Sequence, residues 1–194
     1  MKKTRTLIFT VIIVVLGLVM CSKSNENEIF TDPRDGHEYK TVKIGNQIWM
    51  AENMAYKIGK SCLIYNDKQS NLKKYGYLYS WDIAMKVAPT GWHLPSKEEY
   101  LTLLNYYKQD TTKRTQALLV GGETGFNALL GGSYNDDNHF FLENKGTEFW
   151  TSTTYDRCAS TFTLPDEPYF NEMAYIIGDA HYVRLIKDDE TLKK

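Results

Sequence analysis

The sequence predicts an α+β fold: a twisted antiparallel sheet with two main helices and long loops. Three observations carry this. Strand-and-turn patterns occupy both ends of the folded part, around 37–50 and 173–185. Helical spacing is confined to the middle, around 78–85 and 96–108. A glycine-dense stretch from Gly121 to Gly146 then excludes any long helix. Strands, then helices, then strands is the order of an α+β domain, not the alternation of a parallel α/β sheet. At 194 residues and 42% hydrophobic, the chain has enough material for one core. Net charge is −1, so no basic footprint points to nucleic acid.

The N-terminus reads as an address. Lys2, Lys3 and Arg5 precede residues 7–20, fourteen positions without a charge. As a helix these rise only about 21 Å, short of a bilayer core of about 30 Å. Residues 1–20 are therefore expected to be a signal peptide and not a span. Leu18-Val19-Met20-Cys21 is similar to a bacterial lipobox, with Met20 where a small residue is usual. Cys21 is the expected lipidated N-terminus, and residues 21–29, which include Ser22 to Glu28, form a polar tether. The leader takes three basic residues and no acidic one, so the mature chain is more acidic. An exported protein meets oxidising conditions. Cys62 and Cys158 are then the pair left for a disulfide, if their Cα atoms come within about 7 Å.

The elements follow in order. Val42 and Ile44 alternate with lysines, Gly45-Asn46 is a two-residue turn, and residues 47–50 return as a second strand. Residues 53–71 read as irregular and polar. Leu78, Trp81 and Met85 fall on one helical stripe, ended by Pro89. Ser96-Lys97-Glu98-Glu99 is a capping box, followed by Tyr100, Leu101 and Leu104 at helical spacing. A third short helix is expected over 112–120. Ser160, Phe162 and Leu164 share one strand face. Met173, Tyr175 and Ile177, then His181, Val183 and Leu185, read as a closing hairpin about Gly178-Asp179. Residues 189–194 form a charged tail.

Five blocks together carry a resemblance. Asp35-Gly36, Tyr39, Thr41-Val42, Ile44-Gly45 and Gln47 lead into Trp49-Met50-Ala51-Glu52-Asn53-Met54. Tyr75-Gly76, Leu78-Tyr79 and Trp81 form the second block. Pro89-Thr90-Gly91-Trp92-His93-Leu94-Pro95-Ser96 with Glu99-Tyr100 is the third. Gly125-Phe126-Asn127-Ala128-Leu129 with Gly131-Gly132, and Phe149-Trp150-Thr151-Ser152-Thr153, complete the set. In this order they resemble the Fibrobacter succinogenes major paralogous domain (FISUMP), here spanning residues 30–188. The resemblance implies a C-type-lectin-like fold, frequent in exported lipoproteins of Bacteroidota-type bacteria, with an activity that is largely undefined. It also implies a disulfide whose two cysteines are here Ala88 and Leu185, an apolar pair. Losing such a bridge removes about 2–4 kcal/mol.

Candidate chemistry is sparse. The segment Gly91 to Glu99 is also similar to a motif of formylglycine-generating oxidases, which use a late cysteine pair; only Cys158 lies late here. Soft thiolates held together are what a copper site needs. His37, His93, His139 and His181 show no helical ligand spacing, and no Gly-x-Ser-x-Gly elbow marks a hydrolase. Asn135, Asp136, Asp137 and Asn138 are oxygen donors in one loop, a candidate calcium or ligand loop or an ordinary solvated turn. Trp49, Trp81, Trp92 and Trp150 are assigned to the core. Tyr65, Tyr75, Tyr77 and Tyr79 are better candidates than the tryptophans for a partly exposed binding surface. The expectation is a non-catalytic, lipid-anchored protein of the cell envelope, in the outer membrane and facing either the periplasm or the surface. It has no metal or cofactor and binds a glycan or a surface protein. The alternatives are a structural part of a surface assembly and a degenerate relative of the formylglycine-generating oxidases.

Overall fold

A computed structural model of the chain describes residues 28–59, 62–107, 111–165 and 168–189. The expected signal peptide, Cys21 and the first part of the tether lie outside the described residues, as does the tail beyond Asp189. The chain runs through β1 (Glu28–Thr31), β2 (Glu38–Ile44), β3 (Gln47–Met50), β4 (Cys62–Leu63), a 3-10 turn (Tyr65–Asp67) and α1 (Gln69–Tyr75). It continues through β5 (Leu78–Tyr79), α2 (Trp81–Ala84), β6 (Trp92–His93), α3 (Lys97–Tyr106) and α4 (Thr111–Leu118). The remaining strands are β7 (Gly131–Tyr134), β8 (Phe140–Glu143), β9 (Thr147–Tyr155), β10 (Cys158–Leu164), β11 (Tyr169–Tyr175), β12 (His181–Tyr182) and β13 (Ile186–Lys187).

Two sheets result. One has the order β1-β2-β3-β13-β6, the other the path β11-β10-β9-β12-β5-β4, with β7 and β8 beside β9. The pairs are antiparallel except β12 with β9 and β7 with β9. The fold is therefore α+β, as predicted. The first hairpin forms as read, with Ile44 opposite Gln47 across Gly45-Asn46. Strand β2 buries Tyr39 and Thr41 on one side, then Val42 and Ile44 on the other. It thus serves two apolar clusters. One is centred on Trp49, Tyr100, Phe149 and Phe162. The second is centred on Tyr79, Trp92, Trp150 and Leu185, with Ala88 packed against it. Ala88 and Leu185 therefore share one apolar cluster.

Four expectations need correction. Leu78 lies on β5, not in a helix. Its strand is paired on both sides, by β4 and β12, so sheet pairing outcompetes the helical stripe. Met85 is exposed. Residues 53–71, read as irregular, contain β4, the 3-10 turn and the start of α1. The closing hairpin does not form, because β11 pairs with β10 while β12 slots between β9 and β5. Alternating hydrophobicity marks a strand but not its partner, and here Met173 and Ile177 face solvent while Val183 and Leu185 are fully buried. Glu28 and Ile29, assigned to the tether, pair with Thr41 and Lys40 in the first sheet.

The disulfide expectation also fails. Cys62 and Cys158 are free thiols. They lie on β4 and β10, four strand steps apart in one sheet. At about 4.8 Å per step this is roughly 19 Å, far beyond disulfide reach. Cys62 Sγ instead accepts the Ile58 amide at 3.4 Å.

Candidate functional site

A cleft of about 720 Å³ opens where four chain segments meet. The exposed first half of one β2 face, before it is buried at Val42, gives Glu38 and Lys40, and the chain after β3 gives Glu52 and Asn53. Helix α1 gives Gln69 and Lys73, and the glycine-rich loop gives Asn127. Arg184 forms its floor, fully buried.

Asn53 and Arg184 hold these segments together. The Asn53 amide donates to the Tyr75 carbonyl at 2.8 Å, tying the first hairpin to the end of α1. Its Oδ1 accepts from Arg184 Nη2 at 2.6 Å and from Nε at 3.1 Å. Arg184 Nη1 donates to the carbonyls of Met50 and Phe126. The guanidinium carbon lies 4.7 Å from the Phe126 ring centre. All these partners are neutral. Burial pulls the Arg184 pKa down to about 10, which still leaves a cation at neutral pH. Gly76 permits the close approach. It sits at φ +77°, where a Cβ would lie 2.6 Å from the Met54 carbonyl oxygen. Around the rim, Lys40 pairs with Glu52 at 3.7 Å, and Lys74 Nζ donates to the Tyr75 hydroxyl at 2.8 Å.

A second polar cluster is buried in the larger sheet. Ser133 Oγ and Glu148 Oε2, the latter at 3.2 Å, both meet His181 Nδ1. A hydrolytic triad needs the nucleophile and the carboxylate on opposite ring nitrogens. Here one nitrogen serves both, and Ser133 has no exposed surface. Burial drives His181 down to about 4 and Glu148 above the usual carboxylate range. The geometry is that of an uncharged imidazole inside the sheet.

The sequence-selected residues distribute unevenly. Cys62 and Cys158 stay apart. The loop Asn135 to Asn138 is a tight turn between β7 and β8. The Asn135 amide oxygen accepts from the His139 amide at 3.0 Å, and the Asn138 oxygen accepts from the Tyr134 hydroxyl at 2.9 Å. The Asp136 amide donates to Asp179 at 2.9 Å. Among the described residues no group of three or more His, Cys, Asp or Glu is placed to hold a metal. Trp49, Trp92 and Trp150 are core residues; Trp81 is half-buried, donating to the Thr151 carbonyl at 3.0 Å. The tyrosine expectation is overturned. Tyr65, Tyr75, Tyr77 and Tyr79 are all buried. The Tyr65 and Tyr79 hydroxyls donate to the Phe141 and Tyr56 carbonyls, so aromatic bodies enter the core with their polar ends satisfied. The cleft residues Asn53, Asn127 and Arg184 were not singled out from the sequence. The available signal was a polar or charged residue inside an otherwise apolar motif.

The fold and cleft define an α+β domain with a cation-floored cleft lined by polar and apolar groups alike. The model of the Fibrobacter succinogenes major domain matches residues 42–187, and the chain belongs to that family. Three of the five blocks noted in the sequence reach the cleft: Glu52-Asn53, Tyr75-Gly76 and Asn127 with Leu129. No curated protein and no solved structure matches the chain. Among the described residues no helix is long and apolar enough to cross a membrane.

Proposed function

We propose that the chain is an exported, lipid-anchored, non-catalytic binding domain of the cell envelope. In this reading it has C-type-lectin-like topology and holds a saccharide chain in the cleft above Arg184. The observation that carries this is the cleft itself. It is open, and amide, carboxylate and ammonium groups from four separate segments converge on it. Such groups can meet successive sugar hydroxyls without a catalytic pair. The separation of Cys62 and Cys158 supports leaving thiol-metal oxidation aside. Anchoring rests on Cys21 and the apolar run before it.

A second reading, a structural part of a surface assembly, is favoured by one feature. Strand β11 is the edge of the larger sheet, and Tyr169, Met173 and Tyr175 on it are exposed. Unpaired edges recruit strands from other chains.

A glycan array probed with the full chain, with and without calcium, tests the first reading. Binding that is lost when Gln69→Trp fills the cleft supports it. Binding unaffected by that change, or no saccharide bound at all, overturns it. Cys21→Ser is expected to move the protein out of the membrane fraction; retention there would refute the anchor.

A further inference from the structure

We infer that the cleft selects an acidic saccharide chain, one carrying carboxylate or sulfate groups that face Arg184, Lys73 and Lys74. This rests on the reading of the cleft as a saccharide site, and it names the class of sugar.

The argument is one of unmatched charge. Lys40, Lys73, Lys74 and Arg184 line the cleft against two carboxylates, Glu38 and Glu52. Glu52 is taken by Lys40. Among the described residues no carboxylate lies within ion-pair distance of Lys73, Lys74 or Arg184. Arg184 is the unusual member. A guanidinium whose hydrogen bonds all go to neutral oxygens has lost its water for little counter-charge, since the nearby Glu52 acts on it only from beyond ion-pair distance and is shared with Lys40. Its field is therefore poorly screened on the one side where the cleft opens. Two exposed lysines stand on that side, two and one residues before Tyr75, whose carbonyl takes the Asn53 bond that fixes the floor. An anion entering the cleft would sit in a positive potential from below and from the rim. The lining sets the amides of Gln69 and Asn127 beside the cations and between the apolar Leu72, Val120 and Leu129, so a hydroxyl-rich polymer finds both hydrogen-bond partners and surface for its ring faces there. Among the described residues the lining holds no exposed Phe, Tyr or Trp to anchor a peptide, Tyr75 being buried; the poly-glutamate arm below tests the peptide against the saccharide.

The test titrates the full chain in detergent calorimetrically with hexagalacturonate and with its fully methyl-esterified form, which keeps the backbone and removes the charge. A sulfated and an unsulfated dextran oligomer form a second pair, and poly-glutamate a third arm. At least one acidic oligosaccharide is expected to bind tenfold or more tightly than its neutral partner at low salt, weakening as salt is raised. Lys73→Ala with Lys74→Ala should remove most of that preference while the thermal transition stays in place. Lys145→Ala, outside the cleft, should leave it unchanged. Arg184→Met probes the floor directly, and the lysine pair decides if that variant does not fold. Equal binding of charged and neutral forms, lost in Gln69→Trp, would overturn the acidic preference and leave the saccharide cleft standing. Binding indifferent to Gln69→Trp would overturn both. Binding of poly-glutamate alone would overturn the saccharide class.

Discussion

His93 stands between two carboxylates, with Nε2 2.9 Å from Glu99 Oε1 and Nδ1 2.7 Å from Asp188 Oδ1. These partners join the start of α3 to the chain after β13. The Glu99 bond raises the His93 pKa above its usual 6.5; burial opposes it, and the Asp188 bond adds to it. A histidine whose folded pKa is raised contributes stability fully present below pH 6.5. That contribution is lost as pH climbs through the folded value. Buried His181 works on the other side, because its folded pKa of about 4 lies below 6.5. The unfolded chain takes up that proton first, so stability falls as pH drops from 6.5 toward 4. The two windows meet near pH 6.5. Urea unfolding of the wild type is therefore expected to show a loss of stability as pH rises above 6.5. His93→Gln should flatten this alkaline limb and leave the acid limb in place. An unchanged alkaline limb in the variant would contradict the assignment.

At the scale of elements, α3 is the helix whose start was written most plainly. The Ser96 hydroxyl accepts the Glu99 amide at 3.2 Å, and the Glu99 carboxylate accepts the Ser96 amide at 2.7 Å. Tyr100, Leu103 and Leu104 then turn inward. Ser96→Ala is expected to cost about 0.5–2 kcal/mol, read as a lowered urea midpoint at constant slope. No shift in midpoint would mean that the packing of α3 on β9 and β10 holds the helix end without its cap. The contrast with β11 shows where local reading ends. A cap, like the Gly45-Asn46 turn, is settled within a few residues, so both were legible. The partner of β12 depends on which interior slot accepts Tyr182 and Val183, a choice made by the whole sheet. Tyr65 and Tyr79 failed for the same reason, since their hydroxyls find carbonyls on distant segments. Arg184 was hidden more deeply. A charge in the short apolar segment between β12 and β13 gives no local sign of the amide and carbonyls, more than fifty residues away, that hold it.

The whole molecule is closed by its end. Strand β13 is the fourth strand of five in the first sheet, with Ile186 opposite both Trp49 and His93. Before it, the Val183 and Leu185 carbonyls accept the amides of Met54 and Met50 at 2.8 and 3.0 Å. After it, the Asp188 amide donates to the Gly91 carbonyl at 2.9 Å. Without these residues β3 and β6 would be two facing edges, and Leu185 and Ile186 would leave cavities in both clusters. Contacts of this length in sequence form only once the rest of the sheet is in place. The same segment carries Arg184, so closure of the fold and construction of the cleft floor are one event. A chain ending at Arg184 is thus expected to lose cooperative unfolding and near-ultraviolet aromatic dichroism, even though the guanidinium is still encoded. A chain ending at Asp189 keeps every described pairing of β13 and should unfold cooperatively, with any saccharide binding intact. If the shorter chain were to melt as sharply as the longer one, the C-terminal strand would be an accessory of the sheet and not its keystone.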